Sequence, residues 1–349
     1  MWIESKGAKI DFSWQRILEG NPARLFGFDA RGNGKDKTMK LLFFDDFKLG
    51  VLKGDAVIDV SETVRDIPHT GPHNLISGLI ERFIDYKGSL QEAVDRRRGV
   101  PLSQVRIRPP LPKPYNIVAM AVNYIEEGPR AAPAPLNAFH KSPSGVIGDG
   151  DTMILADVPA SVFEGEAELA LVIGKRASAV NAAEAMTYVF GYLNFIDGSA
   201  RGLPPSGNTF YQMKSRDTFA PMGPVLVTAD EVPDPHALQV RLWVNGVLKQ
   251  KYNTHSMAHK IPRCIEWITS IHTLDPGDII ATGTDHGGLS ALQDGDLMEM
   301  ETEGLGRLRV QVRDDLKRTW AGETRLERQR KGLEGRATQL TGKYAPAPR

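Results

Sequence analysis

Residues 163–174, FEGEAELALVIG, constrain the fold of this 349-residue chain more than any other part of the sequence. Because side chains alternate along a β-strand, Glu164, Glu166 and Glu168 would share one face of a strand. Residues 169–173 are apolar on both faces, which indicates a strand that is buried on both sides. A fold that buries such a strand has to compensate the charge of the carboxylates at its start.

A hard divalent cation with oxygen ligands would compensate these carboxylates. The alternative is an edge strand whose acidic face is solvated. Asp197 favours the cation, because it follows the apolar residues LNFI and precedes three small residues, a poor position for a surface acid. Alternatively, Asp197 caps a helix or pairs with Arg201. Lys214 lies in a polar loop, where it is either an ordinary surface lysine or, beside a metal-bound anion, a group that holds a carboxylate or stabilises an enolate.

Short apolar runs with turn residues between them predict a β-rich α+β fold rather than a doubly wound sheet. The sequence V-N-G at 244–246 indicates a hairpin with a type I′ turn. The strand candidates are residues 117–122, 168–174, 224–228, 238–244, 278–282, 297–301 and 308–312. The helix candidates are residues 74–98, 182–189 and 261–271.

The pattern predicts four parts: an N-terminal extension (1–38), a small N-terminal domain with its linker (39–110), a strand-rich domain (111–315) and a charged, helix-prone C-terminal extension (316–349). The C-terminal extension is either an assembly element or a solvated appendage.

Composition argues against several classes of protein. The chain has 43 basic and 43 acidic residues, a balance that gives no support for a nucleic-acid or membrane-surface partner. The single cysteine, Cys264, suits a reducing compartment and lies in an apolar run, which favours a buried structural thiol. No segment has the pattern of a signal peptide or a membrane helix. We therefore expect a soluble cytoplasmic protein.

From about residue 40 to residue 313, the chain resembles the fumarylacetoacetate hydrolase family. The resemblance is carried by five ordered motifs: E-x-E-L-A-x-V-I-G, G-Y-x-x-x-x-D-x-S-A-R, K-S-x-D-T-F-A-P-x-G-P, L-x-V-N-G and L-x-P-G-D-I-I-x-T-G-T. It implies a mixed β-sheet roll as the catalytic domain, preceded by a small N-terminal domain. It also implies a homodimer or higher homo-oligomer acting on a small 2-oxo acid.

The resemblance assigns roles to individual residues. It implies Mg²⁺, or Mn²⁺ or Ca²⁺, on Glu166, Glu168 and Asp197, with Lys214 as the active-site lysine. It assigns substrate binding to Lys141 of the F-x-K-x-P-S motif, Tyr124 of N-Y, Asp217 of K-S-x-D and Thr284 of T-G-T.

One family motif is altered. Relatives usually carry N-Y-x-x-H with a Glu three residues later, whereas here Glu127 stands at the His position and Arg130 at the Glu position. Hydrolysis needs another base within reach of water. The candidates are Glu127 itself, His140 in FHK and His286 in TGTDHGG, although either histidine could equally be a loop residue without a chemical role.

Three functions remain open. The first is metal-dependent hydrolysis of a C–C bond in a 2,4-dioxo acid of the acylpyruvate type, from a catabolic route such as that of an aromatic compound. The second is decarboxylation, tautomerisation, isomerisation or hydration of a 2-oxo acid at the same metal site. The third is a non-catalytic metal-binding or assembly protein, against which the clustered charges argue.

Overall fold

The computed structural model describes residues 39–126, 132–205, 210–333 and 336–346. The predicted N-terminal extension and the residues Glu127 and Arg130 lie outside these ranges. The strands are β1 (Lys40–Phe44), β2 (Lys48–Lys53), β3 (Ala56–Asp59), β4 (Val100–Pro101), β5 (Ile107–Arg108), β6 (Ile117–Met120), β7 (Ala138–His140), β8 (Val146–Ile147), β9 (Thr152–Ile154), β10 (Val162–Ile173), β11 (Val189–Arg201), β12 (Ala220–Thr228), β13 (Gln239–Val244), β14 (Val247–Asn253), β15 (Ile279–Ala281), β16 (Leu297–Thr302), β17 (Arg307–Arg313), β18 (Thr319–Trp320) and β19 (Gln339–Thr341). The α-helices are α1 (Pro72–Glu81), α2 (Phe83–Arg96), α3 (Phe210–Lys214), α4 (Ile261–Thr269) and α5 (Arg325–Arg330).

Most strands belong to two sheets. A 12-stranded sheet has the order β4-β3-β2-β1-β12-β11-β10-β15-β6-β7, with β5 beside β1 and β8 beside β12. A five-stranded sheet has the order β14-β13-β16-β17-β9, and β18 pairs with β19. Parallel pairs (β15 with β6, β12 with β8, β17 with β9) occur among antiparallel ones. The prediction of a β-rich, mixed-sheet α+β fold is confirmed.

Strand β10 is the centre of the large sheet, and each of its twelve residues is buried. Leu169 and Leu171 pack into one apolar cluster, whereas Ala170 and Val172 pack into the cluster on the other side. This alternation confirms that the strand is covered on both faces. The alternative of an edge strand with a solvated acidic face is wrong.

The sheet continues from the N-terminal strands into the strand-rich part. β1 pairs antiparallel with β12, with Lys40 opposite Val227 and Leu41 opposite Leu226. The division near residue 110 therefore stays a prediction.

The single helix predicted over residues 74–98 is in fact two helices, α1 and α2. They are separated at Arg82, whose backbone leaves the helical region (φ −109°, ψ 21°).

Of the two other predicted helices, the one over residues 182–189 is wrong for the most part and the one over residues 261–271 is confirmed. Residues 182–189 contain only a 3-10 helix at Ala185–Tyr188, after which β11 begins. Gly191 is required in β11, since a Cβ there would lie 2.2 Å from the carbonyl oxygen of Val227. The candidate over residues 261–271 is confirmed as α4, and its Cys264 thiol is buried, as expected.

The prediction of an exposed helical C-terminal extension is wrong within the described residues. Only α5 is α-helical there, and it is flanked by β18 and β19. The side chains of Arg318 and Trp320 are buried, and they donate to the carbonyl oxygens of Ala156 at 2.9 Å and of Ser161 at 2.8 Å. Tertiary contacts therefore override the helix propensity of this charged segment. Over the described residues, no helix is both long and apolar enough to cross a bilayer.

Candidate active site

Three buried carboxylates converge between β10 and β11. Glu166 lies directly opposite Asp197 in the antiparallel register, and Glu168 follows on the same face of β10. Each residue contributes one carboxylate oxygen to a group of three oxygens that lie within 4.8 Å of one another. All three residues are at most 5% exposed. The structure therefore brings together the three residues for which the sequence predicts a metal site.

Lys214, at the end of α3, lies against this acidic triad. Its Nζ donates to Asp197 Oδ2 at 2.5 Å and to Glu166 Oε1 at 2.9 Å. The same Nζ lies 5.2 Å from the centroid of the Phe139 ring, which stacks on Phe210. Burial lowers the pKa of Lys214 to about 8, although the charge of Asp197 opposes this shift. Lys214 is therefore a buried site residue, and the alternative of an ordinary surface lysine is wrong.

Lys141 contacts the same triad through the other carboxylate oxygen of Asp197. Its Nζ donates to Asp197 Oδ1 at 2.5 Å, to the carbonyl oxygen of Lys214 at 2.5 Å and to that of Gly198 at 3.3 Å. A lysine ammonium has three donors, so all of them are engaged with the protein. The geometry favours a positioning role for Lys141 over the substrate-binding role that the sequence predicts.

Glu168 is the least compensated of the three acids. Of the described residues, only Gly283 donates to its carboxylate, through a backbone N–H at 2.8 Å. Burial, followed by the charge of Asp197, raises its pKa to about 8. Three convergent, buried carboxylate oxygens fit the ligand set of a hard divalent cation.

Glu164 has a different set of partners. Arg201 Nε donates to its Oε2 at 3.1 Å, and Arg325 Nε donates to its Oε1 at 2.9 Å. Burial alone would raise the pKa of Glu164, but the charges of Arg325 and Arg201 outweigh burial and lower it. Arg201 also contacts Glu166. Glu164, the first glutamate of the motif, is thus paired with two arginines.

A loop after β15 runs along the acidic strand. Thr284 Oγ1 donates to the carbonyl oxygen of Ala167 at 2.7 Å, between Glu166 and Glu168. Gln250 Nε2 donates to the same hydroxyl at 2.8 Å, and Tyr252 also donates to Ala167. The predicted substrate residue Thr284 therefore lies beside the triad, with its hydroxyl held by protein groups.

Two other predicted substrate residues are placed differently. Tyr124 is 2% exposed, its ring meets that of Tyr252 edge-on at 4.9 Å, and burial raises its pKa, with a further contribution from the charge of Glu168. Asp217 is exposed and accepts a hydrogen bond from Ser144 Oγ at 2.8 Å. Tyr124 thus lies near the triad, whereas the described contacts do not bring Asp217 to it.

His286 is paired with a carboxylate that sequence reasoning missed. Glu126 Oε1 lies 2.6 Å from His286 Nδ1 and also accepts the backbone N–H of His286 at 3.0 Å. A carboxylate acceptor assigns a proton to Nδ1 and leaves Nε2 as the basic nitrogen. The position of Glu126, two residues after Tyr124 in the altered motif, was the available signal.

His140 does not join this group. It is exposed on β7, and its ring centroid lies 5.2 Å from that of His272. Phe139, the preceding residue, contacts Lys214, and successive side chains of a strand point to opposite faces. The candidacy of His140 as the base is therefore contradicted by its placement. Glu127 lies outside the described residues.

A family model described as fumarylacetoacetate (FAA) hydrolase C-terminal matches residues 115–313. The chain belongs to the fumarylacetoacetate hydrolase family. The maleylpyruvate hydrolase of Aquipseudomonas alcaligenes is 31% identical over 291 residues, which cover 79% of this chain and 99% of the relative. The oxaloacetate tautomerase YisK of Bacillus subtilis is 38% identical over 223 residues, which cover 60% of this chain and 74% of the relative.

A solved structure supports the same assignment. The maleylpyruvate hydrolase from Sphingobium sp. SYK-6, in complex with manganese (II) ion and pyruvate, is 35% identical, with a TM-score of 0.71. The match covers 79% of this chain and 99% of that one. Family members with these names are enzymes, both hydrolases and tautomerases, and this member has the sheet-rich fold expected of them.

Proposed function

We propose that this chain is a divalent-cation-dependent hydrolase that cleaves a C–C bond in a small 2,4-dioxo acid of the acylpyruvate type. The observation that carries the proposal is the pairing of His286 with Glu126, on a loop next to the buried acidic triad. A metal site without a base suits several reactions of 2-oxo acids. Hydrolysis also needs a group that activates water. The likeness to maleylpyruvate hydrolases over 79% of the chain supports this choice.

Glu166, Glu168 and Asp197 would hold the cation, for which we propose Mg²⁺, with Mn²⁺ or Ca²⁺ as substitutes. When bound, the cation supplies Lewis-acid polarisation of the substrate's oxygens and compensates the charge of the carboxylates. The manganese (II) ion in the structure of the Sphingobium maleylpyruvate hydrolase supports a divalent ion at this triad.

The lysines have separate roles. Lys214 keeps its ammonium between Asp197 and Glu166, where it would stabilise the negative charge that develops on the substrate. Lys141 would hold Asp197 and the backbone of Lys214 in place, because its three donors already have acceptors. Thr284 and Tyr124 remain our candidates for binding the substrate carboxylate.

The His286–Glu126 pair would act as the base. His286 Nε2 takes a proton from water, and the resulting hydroxide attacks the carbonyl carbon distal to the carboxylate. The C–C bond next to that carbon then breaks, and its electron pair stays with the departing 2-oxo acid as an enolate. Glu126 stabilises the imidazolium, which can return its proton to the enolate carbon.

Tautomerisation of a 2-oxo acid is a second candidate. The 38% identity to the Bacillus subtilis oxaloacetate tautomerase supports it, and the His286–Glu126 pair can move a proton without activating water. Oxaloacetate is therefore the control substrate in the test below.

The test follows the loss of enol absorbance for a panel of acylpyruvates and for oxaloacetate, with Mg²⁺, with Mn²⁺ and with chelator. Products are identified by mass. Two acid fragments that appear only with metal support the hydrolase. Unchanged mass with accelerated enol–keto exchange would support the tautomerase instead, and released CO₂ would indicate decarboxylation.

A further inference from the structure

A C-terminal segment, defined here as the described residues between 314 and 346, folds back onto the start of β10. The Arg318 side chain is fully buried, pairs with Asp314 and lies over the Phe163 ring at 4.8 Å. The ring of Trp320 meets that of Phe163 edge-on at 5.9 Å. Phe163 immediately precedes the strand positions that carry the glutamates, so the segment docks through buried contacts beside the triad.

Helix α5, within this segment, begins against the loop that carries His286. The first N–H groups of a helix have no acceptor inside the helix. In α5, the N–H of Arg325 donates to the carbonyl oxygen of Leu289, and the N–H of Leu326 donates to that of Gly287, both at 2.9 Å. The backbone of Arg325 is therefore anchored, and its side chain extends from a fixed point.

A line of alternating charges connects Arg325 to the triad. Arg325 contacts both carboxylate oxygens of Glu164, and Glu164 also accepts from Arg201. The other end of Arg201, Nη2, contacts Glu166 Oε1. Glu164 is 2% exposed, so its charge needs compensation, which these two arginines supply by direct contact.

Arg325 and Arg201 share the Glu164 carboxylate, and Arg201 also contacts Glu166. If Arg325 were absent, Arg201 would be the only described cation in contact with the buried Glu164 carboxylate. Arg201 would be drawn towards Glu164, and Glu166 would lose a contact that orients its oxygen.

We propose that Arg325 is a positioning residue of the metal centre, acting on Glu166 through Glu164 and Arg201; this rests on the proposed function only in that the triad binds a divalent cation. Arg325 lies beyond residues 115–313, which match the family model, so this role would come from a segment outside the matched domain.

The test measures Mn²⁺ binding to metal-free protein by titration calorimetry, without any substrate. We expect Arg325→Met to weaken Mn²⁺ binding on the order of 10- to 100-fold, the usual effect of losing a partner that orients a metal ligand. Arg330→Met is the matched control. It removes an exposed arginine from the same helix and should keep the wild-type Kd within about twofold.

A second pair of variants separates positioning from general destabilisation. If Arg325 acts through Glu164, then Glu164→Gln and the double variant Glu164→Gln/Arg325→Met should bind Mn²⁺ equally, because the neutral amide at position 164 no longer draws Arg201 from Glu166. This comparison holds even if Arg325→Met alone fails to fold. Wild-type affinity in folded Arg325→Met, or a double variant that binds about tenfold more weakly than Glu164→Gln, overturns the inference. Failure of the wild-type protein to bind Mn²⁺ refutes the metal site of the proposed function as well.

Discussion

His286 is oriented by Glu126, whose carboxylate accepts from both the ring and the backbone of the same residue. Two hydrogen bonds from one residue fix the ring orientation as well as the tautomer. A base built this way is lost when His286 is replaced and weakened when Glu126 is replaced, while the acidic triad keeps its own contacts.

We therefore expect His286→Asn to lower kcat by about 10²- to 10⁴-fold, the usual contribution of a general base, and Glu126→Gln to lower it less. Mn²⁺ affinity should stay at the wild-type value in both. His140→Asn is the control and should keep full activity, because His140 faces His272 on the other side of β7. Full activity of His286→Asn on a substrate that the wild-type enzyme hydrolyses would remove the assigned base.

Glu168 illustrates how a binding residue costs stability when its ligand is absent. Its buried carboxylate has one hydrogen-bond donor among the described residues, the N–H of Gly283. Glu168→Gln keeps an acceptor for that donor and removes a group that is costly to ionise in its buried site. In the presence of chelator, we expect Glu168→Gln to have a free energy of unfolding equal to or higher than that of the wild-type protein. Urea titrations measure both values.

The same Glu168→Gln variant should lose most of its Mn²⁺ affinity, because one of three charged oxygen ligands is gone. Glu303→Gln, on the surface loop after β16, serves as the control for removing a glutamate charge. A Glu168→Gln protein that is less stable in chelator and still binds Mn²⁺ normally would mean that this residue is structural.

At the scale of single elements, helix α1 carries a pH-sensitive contact. His73 is buried, its Nε2 lies 3.3 Å from Ser77 Oγ, and its ring meets Tyr115 edge-on. Burial, with a smaller contribution from the charge of Lys113, lowers the pKa of His73 to about 4. Because the unfolded chain binds this proton near pH 6.5, the stability present above that pH is lost as pH falls towards 4.

We expect this single group to cost the folded state up to about 3 kcal/mol by about pH 4, from the difference between the two pKa values. His73→Asn should therefore flatten the decline of the unfolding free energy between about pH 6.5 and about pH 4.5. His69→Asn, at an exposed position before α1, should keep the wild-type slope. Equal slopes in all three proteins would show that His73 does not carry the acid sensitivity.

The strands that could be predicted are those with a local signal in the sequence, either a continuous apolar run or a characteristic turn. The apolar run in β10 and the Asn-Gly turn between β13 and β14, where Asn245 and Gly246 both have positive φ, are of this kind. The strand β11 was not predicted, because its glycines interrupt any alternation. Gly191 has no side chain, which allows the close approach of Val227 in β12, a strand that comes later in the sequence.

At the scale of the whole molecule, the triad could be predicted because its motifs carry the chemistry locally. The pairing of Glu126 with His286 spans 160 residues, and that of Glu164 with Arg325 spans 161. The sequence around either residue of such a pair does not predict which distant residue it contacts. The helical prediction for the C-terminal segment failed for a related reason, since Arg325 and Lys343 pair with Glu164 and Asp157, which lie far away in the sequence.

The sheet that carries the triad is also the core of the molecule, so metal binding should stabilise the entire fold. A ligand that binds only the native state adds about 2.7 kcal/mol at 100 times its Kd. We expect the thermal unfolding midpoint to rise with Mn²⁺ and to fall with chelator in the wild-type protein. In Asp197→Asn, the midpoint should be insensitive to both, because the residue lies in the triad and its charge is the partner of both Lys141 and Lys214. Equal metal-dependent shifts in Asp197→Asn and wild type would mean that the stabilising ion binds elsewhere.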